Sequence, residues 1–125
     1  MKFRGKEVRV VLSKGAKLQY DELKNISLEE QKKGTKNSFN KQLLKSIDNK
    51  INYLKINPLA GENAQKPLPE NLVSKYGINN LWIIDLVGYW RMLYTLNTSE
   101  VEIISLILEC IDHNKYNKTF GRKKV

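Results

Sequence analysis

Residues 101–111 are apolar on both of their alternating sides: Ile104, Leu106, Leu108 and Cys110 fall on one, Val101, Ile103 and Ile107 on the other. A strand of that kind is covered above and below and belongs near the centre of a sheet. The chain must therefore supply other strands to flank it and helices to cover it. Two earlier runs, residues 81–87 and 90–96, are rich in β-branched and aromatic side chains and are separated by Gly88 and Tyr89, which reads as a hairpin. Near the start, Val8, Val10 and Leu12 alternate with Glu7, Arg9 and Val11, the period of a short strand.

Helices fill the space between. Ser13 can cap a helix over residues 14–25, with Ala16, Tyr20 and Leu23 as its apolar stripe. Ser27 and Glu30 fit a capping box for a further turn or two before Gly34. From Ser38, Phe39, Leu43, Ile47, Ile51 and Leu54 recur at spacings of four and three while lysines take the other faces, predicting an amphipathic helix that Asn57 and Pro58 end. Residues 57–71, which hold all three prolines, read as a surface loop. Asp112 can cap a last short helix carrying Tyr116 and Phe120 and stopped by Gly121.

The expected fold is α+β: an N-terminal strand, a two-helix hairpin packed on a mostly antiparallel four-stranded sheet, and a short C-terminal helix. With 125 residues there is enough chain for one core and too little for two, so residues 1–125 are read as a single domain. No apolar run approaches the roughly 20 residues that span a bilayer, and the charged residues 1–6 lead into no leader-like apolar segment. The location expected from this is cytoplasmic, with no membrane partner. The single cysteine, Cys110, lies within the apolar strand and reads as a small core hydrophobe.

Charge narrows the partners. The chain carries 22 Lys and Arg against 13 Asp and Glu, a formal net charge of +9, which favours an anionic partner without saying which. One histidine and one cysteine make no zinc-spaced ligand set, and neither a P-loop nor a dinucleotide fingerprint occurs. No metal or cofactor is expected.

Three strings narrow the reading further. Asn57-Pro58-Leu59-Ala60-Gly61-Glu62 follows the long helix, Leu81-Trp82 precedes Gly88-Tyr89-Trp90-Arg91-Met92-Leu93-Tyr94 in the hairpin, and Asp112-His113-Asn114-Lys115-Tyr116 follows the apolar strand. In order and spacing they resemble the N-P-x-x-G loop, the L-W…G-x-Y-R-V-x-Y hairpin and the H-x-x-Y ending of the RelE/ParE family of toxins from toxin–antitoxin pairs, with Trp90 in the usual tyrosine position. The resemblance covers nearly the whole chain, although residues 25–37 exceed the family's usual interhelical turn.

The resemblance implies a metal-independent endoribonuclease that acts on messenger RNA at the ribosome, driving a ribose 2′-hydroxyl onto the adjacent phosphate, and a cognate antitoxin as partner. Such chemistry needs a proton acceptor, a cation on the phosphorane and a proton donor for the leaving oxygen. Arg91 takes the motif arginine's position, opposite in alternation to the core-facing Trp90, Met92 and Tyr94, so it is expected to line the open face of the sheet; the alternative is an exposed strand arginine paired with a carboxylate. His113, the only histidine, suits proton transfer because an imidazole ordinarily titrates near ~6.5, or it simply opens a helix. Tyr116 can donate a proton or stack on a base, or pack with Phe120 on the sheet.

Lys66, Lys115, Lys118, Arg122, Lys123 and Lys124 are the candidate RNA contacts, or a solvated terminus. On the same open face as Arg91, Ile83 and Asp85 depart from the pattern, since ribosome-dependent members often carry basic residues there. That departure keeps two further functions open: a ParE-like poison that binds DNA gyrase without chemistry of its own, and a basic RNA-binding module without toxicity.

Overall fold

The computed structural model describes residues 2–121. One mixed sheet runs in the order β1-β2-β6-β5-β4-β3, comprising β1 (Lys2–Phe3), β2 (Lys6–Leu12), β3 (Glu62–Asn63), β4 (Trp82–Asp85), β5 (Arg91–Thr98) and β6 (Glu102–Ile111). Four helices accompany it: α1 (Lys14–Lys32), α2 (Phe39–Ile56), α3 (Glu70–Tyr76) and α4 (His113–Thr119). The apolar strand β6 lies inside the sheet, parallel to β2 and antiparallel to β5. The four expected strands are β2, β6, β5 and β4; the two-residue pairings of β1 with β2 and of β3 with β4 extend them to six.

Both faces of the sheet are covered. On one, Ala16 of α1 and Leu43, Ile47 and Leu54 of α2 pack on Ile84, Met92, Tyr94 and Ile107. On the other, Leu72 of α3, Ile78 and Leu81 join Ile83, Leu93, Leu108 and Ile111, with Tyr116 and Phe120 of α4 against them. Fully burying side chains such as Leu54, Leu93 and Leu108 stabilises the fold by about 1.5–3 kcal/mol each. Among the described residues no helix is long and apolar enough to cross a membrane.

Three local expectations are corrected. Helix α1 does not stop near residue 25 but continues through Ser27 to Lys32. The Ser27–Glu30 box does not form: Ser27 is buried within the helix, and the Glu30 carboxylate accepts hydrogen bonds from Ser38 and Asn40 at the start of α2. The proline-containing loop holds β3 and the first residues of α3, which begins after Pro69 without a side-chain cap and ends at Gly77 in the left-handed region.

A further correction concerns β6. Leu93 pairs with Glu109 but Tyr94 pairs with Ile107, so Leu108 is an extra residue in the strand. Such a bulge reverses the alternation beyond it. Leu108 stays on the α3/α4 side, whereas Cys110 joins Ile107 under α1 and α2 instead of sharing Leu108's face. There burial pushes the Cys110 thiol up to about 12, with the Glu109 charge adding to it, so the group is an inert thiol.

Candidate functional site

Strand register gathers the candidate residues at one end of the sheet. Arg91 opens β5 and lies across from Asp85 at the end of β4 and Ile111 at the end of β6. Helix α4 starts directly afterwards, its first turn fixed by the Asp112 carboxylate, which accepts from the Lys115 N–H at 2.8 Å. Three residues after His113, Tyr116 comes under Arg91, whose guanidinium carbon lies 5.0 Å from the ring centre. On its other flank Tyr116 meets Phe120, with ring centres 4.7 Å apart. His113 lies 5.9 Å from the Tyr89 ring, and its Nε2 is 3.2 Å from the Asn117 amide nitrogen.

Arg91 is fixed from three directions. Its Nε lies 3.0 Å from Asp85 Oδ1, an Nη1 proton goes to the Trp90 carbonyl at 3.3 Å, and Tyr116 covers one face of the guanidinium. A guanidinium has five N–H donors in one plane, so the Nη2 side still carries protons for an anion. The arginine side chain is 19% exposed and the aspartate 81%: the cation is set into the molecule and its counter-ion faces water.

The side of the sheet that bears Arg91 is covered, not the open face that strand alternation suggested. Helices α3 and α4 cover it, and Ile83, expected there as an exposed neighbour of Arg91, is buried against Leu81 and Leu93. A cation at position 83 would be desolvated in this core. The cationic set is thinner in other ways too. Lys115 gives its ammonium to Glu109 at 3.0 Å. Lys118, in the last turn of α4, and Lys66, beyond β3, are exposed. Arg122, Lys123 and Lys124 lie outside the described residues.

Glu109 is the group that sequence reasoning missed. It occupies a central strand at 7% exposure, yet it is charged: Oε2 accepts from the Tyr76 hydroxyl at 2.6 Å with Lys75 at 3.7 Å, and Oε1 pairs with Lys115. Burial alone would push this carboxyl up, but the Tyr76 and Lys115 hydrogen bonds and the two lysine charges outweigh it and hold the group below the usual carboxylate range. Glu109 thereby ties α3 and α4 to the strand between them. Its signal in the sequence was a lone carboxylate in an otherwise apolar run.

Beside Tyr116 and Phe120 lies a hollow of about 550 Å³, bordered on its far side by Glu62, Asn63 and Gln65. The loop before it is clamped by Tyr94, whose buried hydroxyl donates to the Pro58 carbonyl and accepts from the Gly61 N–H, both at 2.9 Å. A side chain at Gly61 would put its Cβ 2.8 Å from that hydroxyl, so only glycine allows the approach. Among the described residues, no group of three or more His, Cys, Asp or Glu side chains is arranged to hold a metal ion.

No protein-family model matches the sequence, and no curated protein matches it either. Among solved structures, the chain is similar to a YoeB/ParE toxin from Agrobacterium tumefaciens at 15% identity and a TM-score of 0.53. The match covers 84% of this chain and 98% of that one. An architecture shared over nearly all of both chains, at an identity too low to carry more than shape, gives this molecule a RelE/ParE-type toxin fold.

Proposed function

From that fold as premise, we propose that the chain is the toxin of a toxin–antitoxin pair, acting in the cytoplasm as an endoribonuclease that cleaves messenger RNA by 2′-hydroxyl attack. The observation that supports this reading most is the contact of Arg91 with Tyr116, with His113 opening the same helix and lying beside the Tyr89 ring of the β4–β5 turn. A scissile phosphate bound to the Nη2 side of Arg91 would share a solvent-facing end of the sheet with the imidazole. His113 takes the 2′-hydroxyl proton, the oxygen attacks phosphorus, and Arg91 stabilises the charge that builds on the phosphorane. Tyr116 supplies the proton with which the 5′-oxygen departs, leaving a cyclic phosphate on one fragment and a hydroxyl on the other. An electrostatic donor of this kind contributes about 3 kcal/mol and an acid or base 10²–10⁴-fold, typical values for such groups.

In this reading Lys66 and Lys118 contact flanking phosphates, and Arg122, Lys123 and Lys124 extend the basic strip. Lys115 does not, because its ammonium is held by Glu109. An antitoxin segment, acidic or amphipathic, covers the basic face.

The test is to incubate the purified chain with translating ribosomes and map messenger ends. The expected result is cleavage that falls at least about 10²-fold in Arg91→Ala and in His113→Ala. Undiminished cleavage in both variants rejects the assignment of roles. The Asp85–Arg91 ion pair and the burial of Ile83 favour a second reading, a gyrase-binding poison without chemistry. Intact messenger together with inhibited supercoiling by DNA gyrase selects it, and salt-sensitive RNA binding without either effect selects a non-toxic binding module.

A further inference from the structure

The β4–β5 turn holds two consecutive residues in the left-handed region, Gly88 at φ 65° and Tyr89 at φ 63°. Left-handed backbone suits glycine and asparagine, whereas a bulky side chain adopts it only at a cost in conformational energy. Glycine suits position 88, because a Cβ there would lie 2.5 Å from the Phe39 ring, which would have to shift. No such constraint explains the tyrosine. Tyr89 is 72% exposed, and its ring's only aromatic neighbour among the described residues is His113, 5.9 Å away and tilted by 55°. Among the described non-glycine residues only Arg4, in the β1–β2 turn, shares a positive φ; strain that no packing offsets, at the position beside the imidazole, points to function.

We propose that Tyr89 is a stacking platform for an unpaired RNA base, holding the nucleotide that enters beside His113. The inference rests on the nuclease reading and assigns that site a contact which neither charge nor hydrogen bonding supplies. Tyr116 does not take this part, since its ring is already set between Arg91 and Phe120. Tyr89 presents its ring to water, at the tip of a turn whose path is fixed by Phe39 and by the Val87 N–H donating to Ser46 at 3.1 Å. A rigid aromatic shelf binds any base through its π face, so the contact contributes affinity and orientation and leaves sequence preference to other groups.

The experiment measures binding of uncleavable 2′-O-methyl single-stranded RNA, and of the same RNA with one abasic nucleotide moved along it, to wild type, Tyr89→Gly and Tyr89→Phe. Wild type and Tyr89→Phe are expected to bind intact RNA alike and to lose about tenfold when the abasic position reaches the platform, the range of one base–aromatic stack. Tyr89→Gly is expected to bind intact RNA about tenfold more weakly and to be indifferent to the abasic position, with a melting temperature no lower than wild type because the turn strain is relieved. A Tyr89→Gly protein that binds like wild type, or that keeps the abasic penalty, overturns the platform alone. Absence of RNA binding by wild type overturns the nuclease reading with it.

Discussion

Replacing Asp85 by Asn removes one charge and little else, and its effect on RNA binding follows from the geometry. Asn keeps an oxygen for the Nε proton that Asp85 accepts at 3.0 Å, so Arg91 stays held by that oxygen, the Trp90 carbonyl and the Tyr116 ring. What disappears is the repulsion between the carboxylate and a phosphate on the other side of the same guanidinium. With that phosphate about 6 Å from Asp85 and an effective dielectric of about 40–80 for so exposed a carboxylate, the repulsion is about 0.7–1.4 kcal/mol. Asp85→Asn should therefore bind single-stranded RNA about threefold to tenfold more tightly in low salt. The gain should vanish near 1 M salt, where the screening length is about 3 Å. Fluorescence anisotropy across a salt series measures both. Unchanged or weaker binding in low salt would refute the reasoning, since it would make the carboxylate part of the anion site rather than its competitor. Cleavage assayed alongside adds a distinction: tighter binding with a rate at least about 10²-fold lower identifies Asp85 as the proton acceptor in place of His113.

Tyr94→Phe should leave the Pro58 carbonyl and the Gly61 N–H without their buried partner, destabilising the fold by about 2–4 kcal/mol; thermal melting should report a clear fall, and a loss under about 0.5 kcal/mol would show that the loop rearranges. Glu109→Gln should cost about 1–2 kcal/mol near neutral pH through its weakened bonds to Tyr76 and Lys115. Because the folded carboxyl is held below its unfolded value of about 4.3, that contribution is complete above pH ~5 and is lost as pH falls through the folded value, so denaturant titrations of variant and wild type should converge in acid. Gly88→Ala should displace the Phe39 ring and strain the turn, lowering stability by about 1–2 kcal/mol; a wild-type denaturation midpoint would contradict it.

The parts of the fold that were legible in the sequence are those in which local spacing and tertiary burial agree. In α2, Leu43, Ile47 and Leu54 announce the buried face, and Ser38, from which the pattern runs, caps the helix. In α1, Ser13 was equally plain, its hydroxyl accepting from the Ala16 N–H and donating to the Leu108 carbonyl, but the helix end was misread because Ser27 and Glu30 mimic a start. Tertiary context decides that case: Ser27 is buried in the body of α1 and Glu30 is drawn to Ser38. The β6 bulge could not be read at all, since it depends on how Leu93 and Tyr94 pair across the sheet. Its consequence was an inverted face assignment for Cys110 and an unnoticed Glu109. At the candidate site, the order of the strings located Arg91, His113 and Tyr116, and Asp85 was noticed beside them. That Lys115 is engaged and that Arg91's side of the sheet is covered follow from α3 and α4, and α3 offers no cap and sits within a proline-containing segment.

The parallel pairing of β2 with β6 couples residues 95 positions apart, from Glu7 with Glu102 to Leu12 with Ile107. During synthesis β2 emerges long before its neighbour, with only the two-residue β1 beside it. The sheet therefore closes late, through contacts distant in sequence, which is the topology that slows folding. Residues of the candidate site divide between the hairpin and the segment just after β6, so a nascent chain lacks a formed site until that closing strand has left the ribosome. A toxic activity built on this arrangement would be withheld from the very machine that is making it.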